Sequence, residues 1–135
     1  MLQLQDQINS QVNPDWKNTN QDWSTAVFVE TAEMIESYGY KWWKKQTPDM
    51  DNVRLELVDI WHFLMSGMIE DASSLKDSND LPDHMFDSFT FTQEKNVETL
   101  TFQYLATYMS STFSAKNFGV VCACFAVLCD RAELS

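Results

Sequence analysis

The feature that most constrains the fold is a long apolar stretch at residues 55–71, which reads LELVDIWHFLMSGMIED. It contains no proline and does not alternate apolar with polar residues as strands do, so it predicts a helix over about residues 52–70. Its polar residues recur every three to four positions and therefore gather in one narrow stripe along the helix. The stripe consists of Asn52, Glu56, Asp59, His62 and Ser66. Because the other sides of the helix are apolar, we expect the stripe to face inward or to line a cavity.

The rest of the chain also favours helices. Three glycines and three prolines in 135 residues are too few for the many tight turns of a β-sandwich or barrel. We predict an all-α bundle of about five helices in a single domain that spans residues 1–135. The predicted helices cover residues 2–9, about 22–38, 52–70, 94–112 and 115–131. A polar segment at residues 71–83, DASSLKDSNDLPD, is predicted to be an exposed loop.

Two acidic pairs share the same spacing. Glu56 and Asp59 lie one turn apart in the long helix, and Glu30 and Glu33 lie one turn apart in the helix at about 22–38. Carboxylates in apolar surroundings must take up protons or find positive partners. If the two helices pack side by side, a divalent cation is the partner that this set of hard oxygen ligands favours, Mg²⁺ first and Mn²⁺ second. For Glu30 and Glu33 the ordinary alternative is a solvated helix face, where such pairs are common.

A di-iron carboxylate site of the ferritin type is a second metal hypothesis, because it also places carboxylates in a helical bundle. Such a site needs the pattern Glu-x-x-His twice. Here Glu56, Asp59 and His62 follow one another in a different order, and the helix at about 22–38 contains no histidine. The sequence therefore favours Mg²⁺ or Mn²⁺.

Charge and hydropathy exclude two classes of partner. The formal net charge of −11 opposes direct binding to the phosphate backbone of nucleic acids. No apolar run has the length of a membrane span, and the start MLQLQDQIN lacks the basic region and apolar core of a signal peptide. We therefore predict a cytoplasmic protein without direct nucleic-acid or membrane partners. A phosphorylated small molecule stays compatible with the charge if metal ions lie between it and the carboxylates.

The order of these motifs resembles the dimeric all-α dUTPases, which belong to the wider group of all-α nucleoside triphosphate pyrophosphatases that includes the MazG-like enzymes. The segment VETAEMIESYGYKWWKK is similar to the family's first acid pair and its Trp-Lys segment, and VRLELVDIWHFL is similar to its second acid pair with the following His-Phe. LQLQDQIN, at residues 2–9, is similar to the helix that presents polar side chains to uracil in the family. The resemblance is specific over residues 2–70 and weaker over 71–135.

The resemblance implies a Mg²⁺-dependent dUTP diphosphatase that hydrolyses dUTP, or also dUDP, with dUMP as the product and pyrophosphate released from dUTP, and so limits uracil in DNA. It implies that Glu30, Glu33, Glu56 and Asp59 hold the metal, and that Glu30 or Glu33 acts as the catalytic base that takes the proton of the attacking water. The residues implied to bind the deoxyuridine nucleotide are Gln5 and Asn9 at the pyrimidine edge, Trp42 or Trp43 stacked on the base, Lys44 and Lys45 at the phosphates, and His62. For the two tryptophans the alternative is packing in a core or interface, and for the two lysines it is simple solvation.

Several alternatives stay open from the sequence. The family carries, after its core helices, a segment of the type KN-x-L-N-x-F-R-x-x-x-G-Y, which residues 1–135 do not match, so we expect this domain to lack it. The apolar surface of the helix at 52–70 exceeds what one small bundle covers, and it predicts a homodimer, as the family also implies. The rival functions are a dCTP-specific or broad MazG-like pyrophosphatase and, in a different class, a non-catalytic helical dimer.

Overall fold

The computed structural model describes residues 1–74 and 100–134. These residues form five α-helices and one short 3-10 turn. The elements are α1 (Leu2–Val12), the 3-10 turn (Trp16–Asn18), α2 (Trp23–Tyr38), α3 (Met50–Ser74), α4 (Phe102–Ser114) and α5 (Phe118–Arg131). No strand occurs within the described ranges, and the all-α prediction is confirmed. The beginning of the helix predicted at 94–112 lies outside the described residues.

Local capping sets the ends of the two central helices. The Asp22 side chain accepts a hydrogen bond from the backbone N–H of Thr25 at 2.9 Å, which satisfies one of the free donors at the start of α2. Gly39 ends α2 with a left-handed φ of 83°, a conformation that glycine adopts without strain. At the start of α3, the Asp49 carboxylate accepts from the backbone N–H of Asn52 at 3.1 Å. Both helices therefore begin after an aspartate whose side chain caps the first turn.

Helix α3 is longer than the sequence predicts. It continues to Ser74, so the first residues of the predicted exposed loop at 71–83 are helical, and the remainder lies outside the described residues. An ion pair of 2.8 Å between Asp71 and Lys116 joins this last turn to the residues that precede α5. Helix α1 likewise extends beyond the predicted residues 2–9 and reaches Val12.

Helices α2 and α3 form an antiparallel pair at the centre of the fold. At one end of the pair, the backbone N–H of Asp49 donates to the carbonyl of Ser37 at 2.8 Å. At the other end, Nε1 of Trp23 donates to the Glu70 carboxylate at 2.7 Å. Helix α4 packs against α2 and α5, and α1 packs against α3. The two acid-bearing helices are therefore direct neighbours, as the site prediction requires.

Helix α3 contributes one continuous side to the core. Its fully buried side chains are Val53, Leu57, Ile60, Leu64 and Met68. They recur at intervals of three and four residues, which is the spacing of one helix face. The opposite side is open, since Leu55 is 64% and Val58 is 43% exposed. Within the described ranges, no helix is long and apolar enough to cross a membrane.

Candidate active site

The packing of α2 on α3 brings three carboxylates together. Glu30, Glu33 and Glu56 each offer one oxygen, and these oxygens all lie within 4.8 Å of one another; we call these three residues the acidic cluster. The convergence of the two acid-bearing turns is therefore observed for three of the four predicted metal ligands. The fourth, Asp59, is exposed and lies outside the cluster, although its negative charge acts on Glu30.

The cluster is electrostatically strained in the absence of a cation. Contact with the Glu56 carboxyl, partial burial, and the negative charges of Glu56 and Asp59 raise the pKa of Glu30 to about 7, while contact with the Glu33 carboxyl acts in the opposite direction. Like charges at this distance favour the protonated form of one partner. Without a cation, the cluster therefore retains a proton at pH values where isolated carboxyl groups have lost theirs.

Glu56 also lacks hydrogen-bond partners. Its Oε2 is buried and has no hydrogen-bond partner, and its Oε1 accepts only a long contact of 3.5 Å from Nδ2 of Asn52. The ion pairs of the described residues involve no member of the acidic cluster. A buried oxygen without a donor is unfavourable, and several carboxylate oxygens at one point are the ligands that Mg²⁺ and Mn²⁺ prefer. The cluster therefore fits a divalent cation.

A cavity of about 490 Å³ lies between α1, the 3-10 turn, α2 and α3; we call it the α1–α3 cavity. Trp16, Trp23 and Phe63 contribute aromatic rings to its wall, and α1 and α3 contribute polar groups. The lining includes Gln5, Asn9, Trp16, Trp23, His62, Phe63 and Ser66. A mostly apolar cavity with a few convergent polar groups is the usual form of a small-molecule site.

The polar groups of this cavity form one hydrogen-bond network. Nε2 of Gln5 donates to Oδ1 of Asn9 at 2.9 Å, and Nδ2 of Asn9 donates to the Ser66 hydroxyl at 2.8 Å. The hydroxyl donates to the backbone carbonyl of His62 at 2.8 Å, and Nδ1 of His62 lies 2.6 Å from Oε1 of Gln5. The structure thus brings together the residues that were predicted from α1 and α3, namely Gln5, Asn9 and His62. Their role in binding a base stays a prediction.

The cavity and the cluster are linked by α3. His62 follows Glu56 by six residues, which corresponds to about 9 Å along the helix axis. Both side chains belong to the polar stripe of α3, and a single nucleotide can extend over this distance. The stripe itself is only partly enclosed, because Ser66 is buried whereas Asp59 and His62 are exposed. The expectation that the stripe faces inward or lines a cavity is therefore wrong for Asp59, whereas His62, although exposed, lines the α1–α3 cavity.

The Trp-Lys segment lies in the connection between α2 and α3. Trp42 is 89% and Trp43 is 59% exposed, and their rings meet edge to face at 5.6 Å. Lys44 and Lys45 are also exposed. None of these four residues is among those that line the α1–α3 cavity. Their predicted contacts with base and phosphate stay predictions.

Several residues of the site are not predicted from the sequence. Ser66 and Asn52 belong to the polar stripe. Ser66 lies four residues after His62, and Asn52 lies four residues before Glu56. This helical spacing was the sequence signal that could have identified both residues. Trp16 and Trp23, whose rings meet edge to face at 6.0 Å, line the cavity without any sequence motif to mark them. Their position depends on how the 3-10 turn folds back onto α3, which only the tertiary structure reveals.

Comparison with known proteins adds one match. A family model described as dUTPase matches residues 1–135. The match extends over residues 71–135, where the motifs alone resemble that family only weakly. No curated protein matches the chain.

Proposed function

We propose that this chain, which belongs to the all-α dimeric dUTPase family, holds Mg²⁺ in its acidic cluster and hydrolyses dUTP to dUMP and pyrophosphate beside it. As a member of that family, the chain is a nucleoside triphosphate diphosphatase that acts on dUTP. The observation that carries the proposed site is the convergence of three carboxylates from α2 and α3 within 4.8 Å, and α3 also lines a cavity with a polar edge.

Enzymes of this family are generally dependent on a divalent metal. Glu30, Glu33 and Glu56 would hold the cation, and Asp59, one turn along α3 from Glu56, would complete the set after a change of rotamer. The cation, when bound, neutralises charge on the phosphoryl oxygens and makes a water molecule more acidic. Mg²⁺ is the first candidate and Mn²⁺ the second, because both favour carboxylate oxygens.

Glu30 and Glu33 are the candidates for the catalytic base. Glu33 is exposed, so a proton that it takes from the attacking water can pass directly to solvent. Glu30 is half-buried beside Glu56, and without a cation its pKa is raised to about 7, so this carboxylate takes up a proton more readily than an isolated glutamate does. Comparison of Glu30→Gln with Glu33→Gln separates the two, because the base variant loses kcat while the other loses mainly affinity for the metal.

The α1–α3 cavity is the proposed site of the base. Its aromatic walls exclude water from the ring faces, and Gln5, Asn9 and His62 would read the pyrimidine edge. Lys44 and Lys45 would contact the phosphates from the α2–α3 connection, close to the start of α3. Trp42 and Trp43 would stack on the base or pack against a second copy of the chain.

We also propose a homodimer. Three apolar side chains near the acidic cluster are open to solvent, namely Phe28 (63% exposed) in α2 and Leu55 (64%) and Val58 (43%) in α3. Large apolar side chains that lie together on a surface mark interaction sites more often than isolated ones do. A second copy that covers this surface would lie beside the cluster and exclude water from the reacting phosphates.

The activity is tested by pyrophosphate release from a panel of dUTP, dUDP, dCTP and purine triphosphates, each with Mg²⁺, with Mn²⁺ and with EDTA; dUDP is followed by phosphate release. We expect turnover of dUTP with Mg²⁺, loss of turnover with EDTA, and much slower turnover of dCTP. Equal turnover of purine triphosphates would favour a broad MazG-like pyrophosphatase. No turnover of any nucleotide with either metal would favour a non-catalytic helical dimer.

A further inference from the structure

We propose that Ser66 is a positioning residue that fixes the amide orientation of Asn9 and the tautomer of His62, so that the α1–α3 cavity selects uracil over cytosine. The inference rests on the proposed function only in that the cavity receives the base. Ser66 itself need not contact the nucleotide, since its hydroxyl is already engaged with three protein groups.

The directions of the hydrogen bonds in this network can be assigned from the backbone carbonyl of His62. The backbone carbonyl of His62 only accepts hydrogen bonds, and the Ser66 hydroxyl, at 2.8 Å, donates its single hydrogen to it. The remaining lone pairs of the hydroxyl can then only accept. Ser66 is 1% exposed, so bulk water does not compete for these contacts.

The orientations of the Asn9 and Gln5 side-chain amides follow from the direction in which the Ser66 hydroxyl donates. Asn9 contacts the Ser66 oxygen at 2.8 Å and must present its nitrogen there, which directs its Oδ1 toward Gln5. Gln5 in turn must present its nitrogen to that oxygen at 2.9 Å, and the same nitrogen lies 3.5 Å from the Ser66 oxygen. Gln5 is 4% exposed. One backbone carbonyl therefore determines the orientation of both side-chain amides.

The tautomer of the His62 imidazole ring follows from the same hydrogen-bond directions. With its nitrogen turned toward Asn9, Gln5 presents Oε1 to Nδ1 of His62 at 2.6 Å. This oxygen only accepts, so Nδ1 must carry the hydrogen. In the neutral ring, Nε2 then has a lone pair and acts as an acceptor. The network thus starts and ends on His62. The opposite direction, in which Ser66 donates to Oδ1 of Asn9, Asn9 to Oε1 of Gln5 and Gln5 to Nδ1 of His62, requires the Ser66 hydroxyl to leave the His62 carbonyl and gives the Nε2–H tautomer.

Uracil and cytosine differ in what their edges require. Uracil presents an N3–H donor between two carbonyl oxygens, whereas cytosine presents an N3 lone pair beside an amino group. A side-chain amide that can turn by 180° matches either base, because it exchanges its donor and its acceptor. Nε2 of His62, as an acceptor opposite N3 of the base, would pair with N3–H of uracil and would meet a lone pair in cytosine.

Ser66 disfavours a 180° turn of the Asn9 side-chain amide. If Asn9 reversed, its oxygen would face the committed lone pairs of the Ser66 hydroxyl, and its nitrogen would face the nitrogen of Gln5. Both contacts are partly or fully buried and would leave polar groups unpaired. Each unpaired group is unfavourable enough to change an equilibrium by about tenfold or more, so cytosine is disfavoured without any group that clashes with it.

The tautomer can be measured without substrate. The chain has two histidines, His62 and His84, so ¹⁵N-labelled histidine with the His84→Gln variant assigns both sets of ring signals. At about pH 9, where imidazole side chains are generally neutral, we expect the Nδ1–H form at His62 in the wild type and a shift toward Nε2–H in Ser66→Ala. A wild type in the Nε2–H form, or a Ser66→Ala variant with unchanged ring shifts, would overturn the proposal.

Base selectivity is the second readout. We expect Ser66→Ala to lower the ratio of kcat/KM for dUTP to that for dCTP by about tenfold or more, and Ser66→Thr, which keeps the hydroxyl, to retain it. Ser110→Ala removes another buried serine hydroxyl, 6% exposed in α4, and is the matched control. A Ser66→Ala variant with the wild-type ratio contradicts the proposal.

The ratio of the dissociation constants of dUMP and dCMP gives the same comparison without turnover. If the wild type hydrolyses no nucleotide, the proposed activity fails, but the ring tautomer and this binding ratio still decide the role of Ser66. Equal binding of dUMP and dCMP to the wild type would refute uracil selection by the cavity. Because the wild-type tautomer needs no variant at Ser66, the test stands even if Ser66→Ala does not fold.

Discussion

Glu30 of α2 and Glu56 of α3 place carboxylate oxygens within 4.8 Å of each other. Two ionised carboxylates at this distance repel each other, and the pKa of Glu30 is raised to about 7 while no cation is present. The second oxygen of Glu56 is buried without a partner. The energetics of the fold and those of the proposed metal site are therefore linked through the same two side chains.

The stability of the metal-free protein should depend on pH through Glu30. Its pKa is raised from 4.5 to about 7 in the folded state, so between these values the folded chain binds the proton more strongly than the unfolded chain. The stabilising contribution is therefore complete below about pH 4.5 and is lost as pH rises through about 7. After allowance for solvent screening, we expect a loss of about 1 kcal/mol, or about 4 °C in Tm.

Thermal unfolding in EDTA between about pH 4.5 and pH 8 measures this effect against Glu30→Gln, which lacks the titrating group. Other carboxyl groups titrate in both proteins and cancel in the difference between the two Tm values. Glu36→Gln, at an exposed position of α2, should follow the wild type. If the curves of wild type and Glu30→Gln are parallel, the raised pKa is wrong.

Replacement of Glu56 by Gln should separate activity from stability. The amide removes one negative charge from the cluster, so the metal-free variant should be as stable as the wild type or more stable by about 1 kcal/mol. It should also lose affinity for Mg²⁺, and we expect activity to fall by about 100-fold or more. The wild type should gain about 2.7 kcal/mol at a Mg²⁺ concentration 100 times its Kd, and the variant little at the same concentration.

Pyrophosphate release and Tm with and without Mg²⁺ are the measurements, with Glu36→Gln again as the control on the same helix pair. Glu36 forms an exposed ion pair of 3.0 Å with Lys41, and such pairs contribute about 0 to 1 kcal/mol. Glu56→Gln with wild-type activity and a wild-type response to Mg²⁺ would remove Glu56 from the metal site.

The sequence predicts those parts of the site that depend on helix periodicity. The spacing within α2 and α3 places Glu30 beside Glu33 and Glu56 near Asp59, and antiparallel packing of neighbouring helices then brings the pairs together. Asp59 shows the limit of this reasoning. It lies about 60° around α3 from Glu56, and whether it faces α2 or solvent depends on the rotation of α3, which the packing of its buried face determines.

The α1–α3 cavity shows the same limit. The polar residues on α1 and α3 were predicted individually, but their hydrogen-bond network joins side chains that are far apart in sequence, such as Asn9 and Ser66. Trp16 and Trp23 close the cavity through tertiary packing. Periodicity reports which face of one helix a residue occupies, and it contains no information about which other helix lies opposite.

A charge on the open side of α3 should prevent association of two copies. Leu55 is 64% exposed, so Leu55→Glu should cost the folded monomer less than about 0.5 kcal/mol, whereas a buried unpaired carboxylate in an interface is strongly unfavourable. We expect light scattering after gel filtration to give a dimer for the wild type and a monomer for Leu55→Glu. Leu4→Glu, at a position 60% exposed in α1, should remain a dimer. A monomeric wild type at micromolar concentration would contradict the proposed homodimer.

Asn9 should affect substrate binding more than turnover. Its amide lies at the polar edge of the α1–α3 cavity, away from the acidic cluster, so Asn9→Ala should raise KM for dUTP with a smaller change in kcat. A neutral hydrogen bond contributes about 1 kcal/mol, which corresponds to about a fivefold increase in KM. Gln7→Ala, at an exposed position of the same helix, is the matched control, and steady-state pyrophosphate release is the measurement. Identical KM values for the two variants would mean that the base binds outside this cavity.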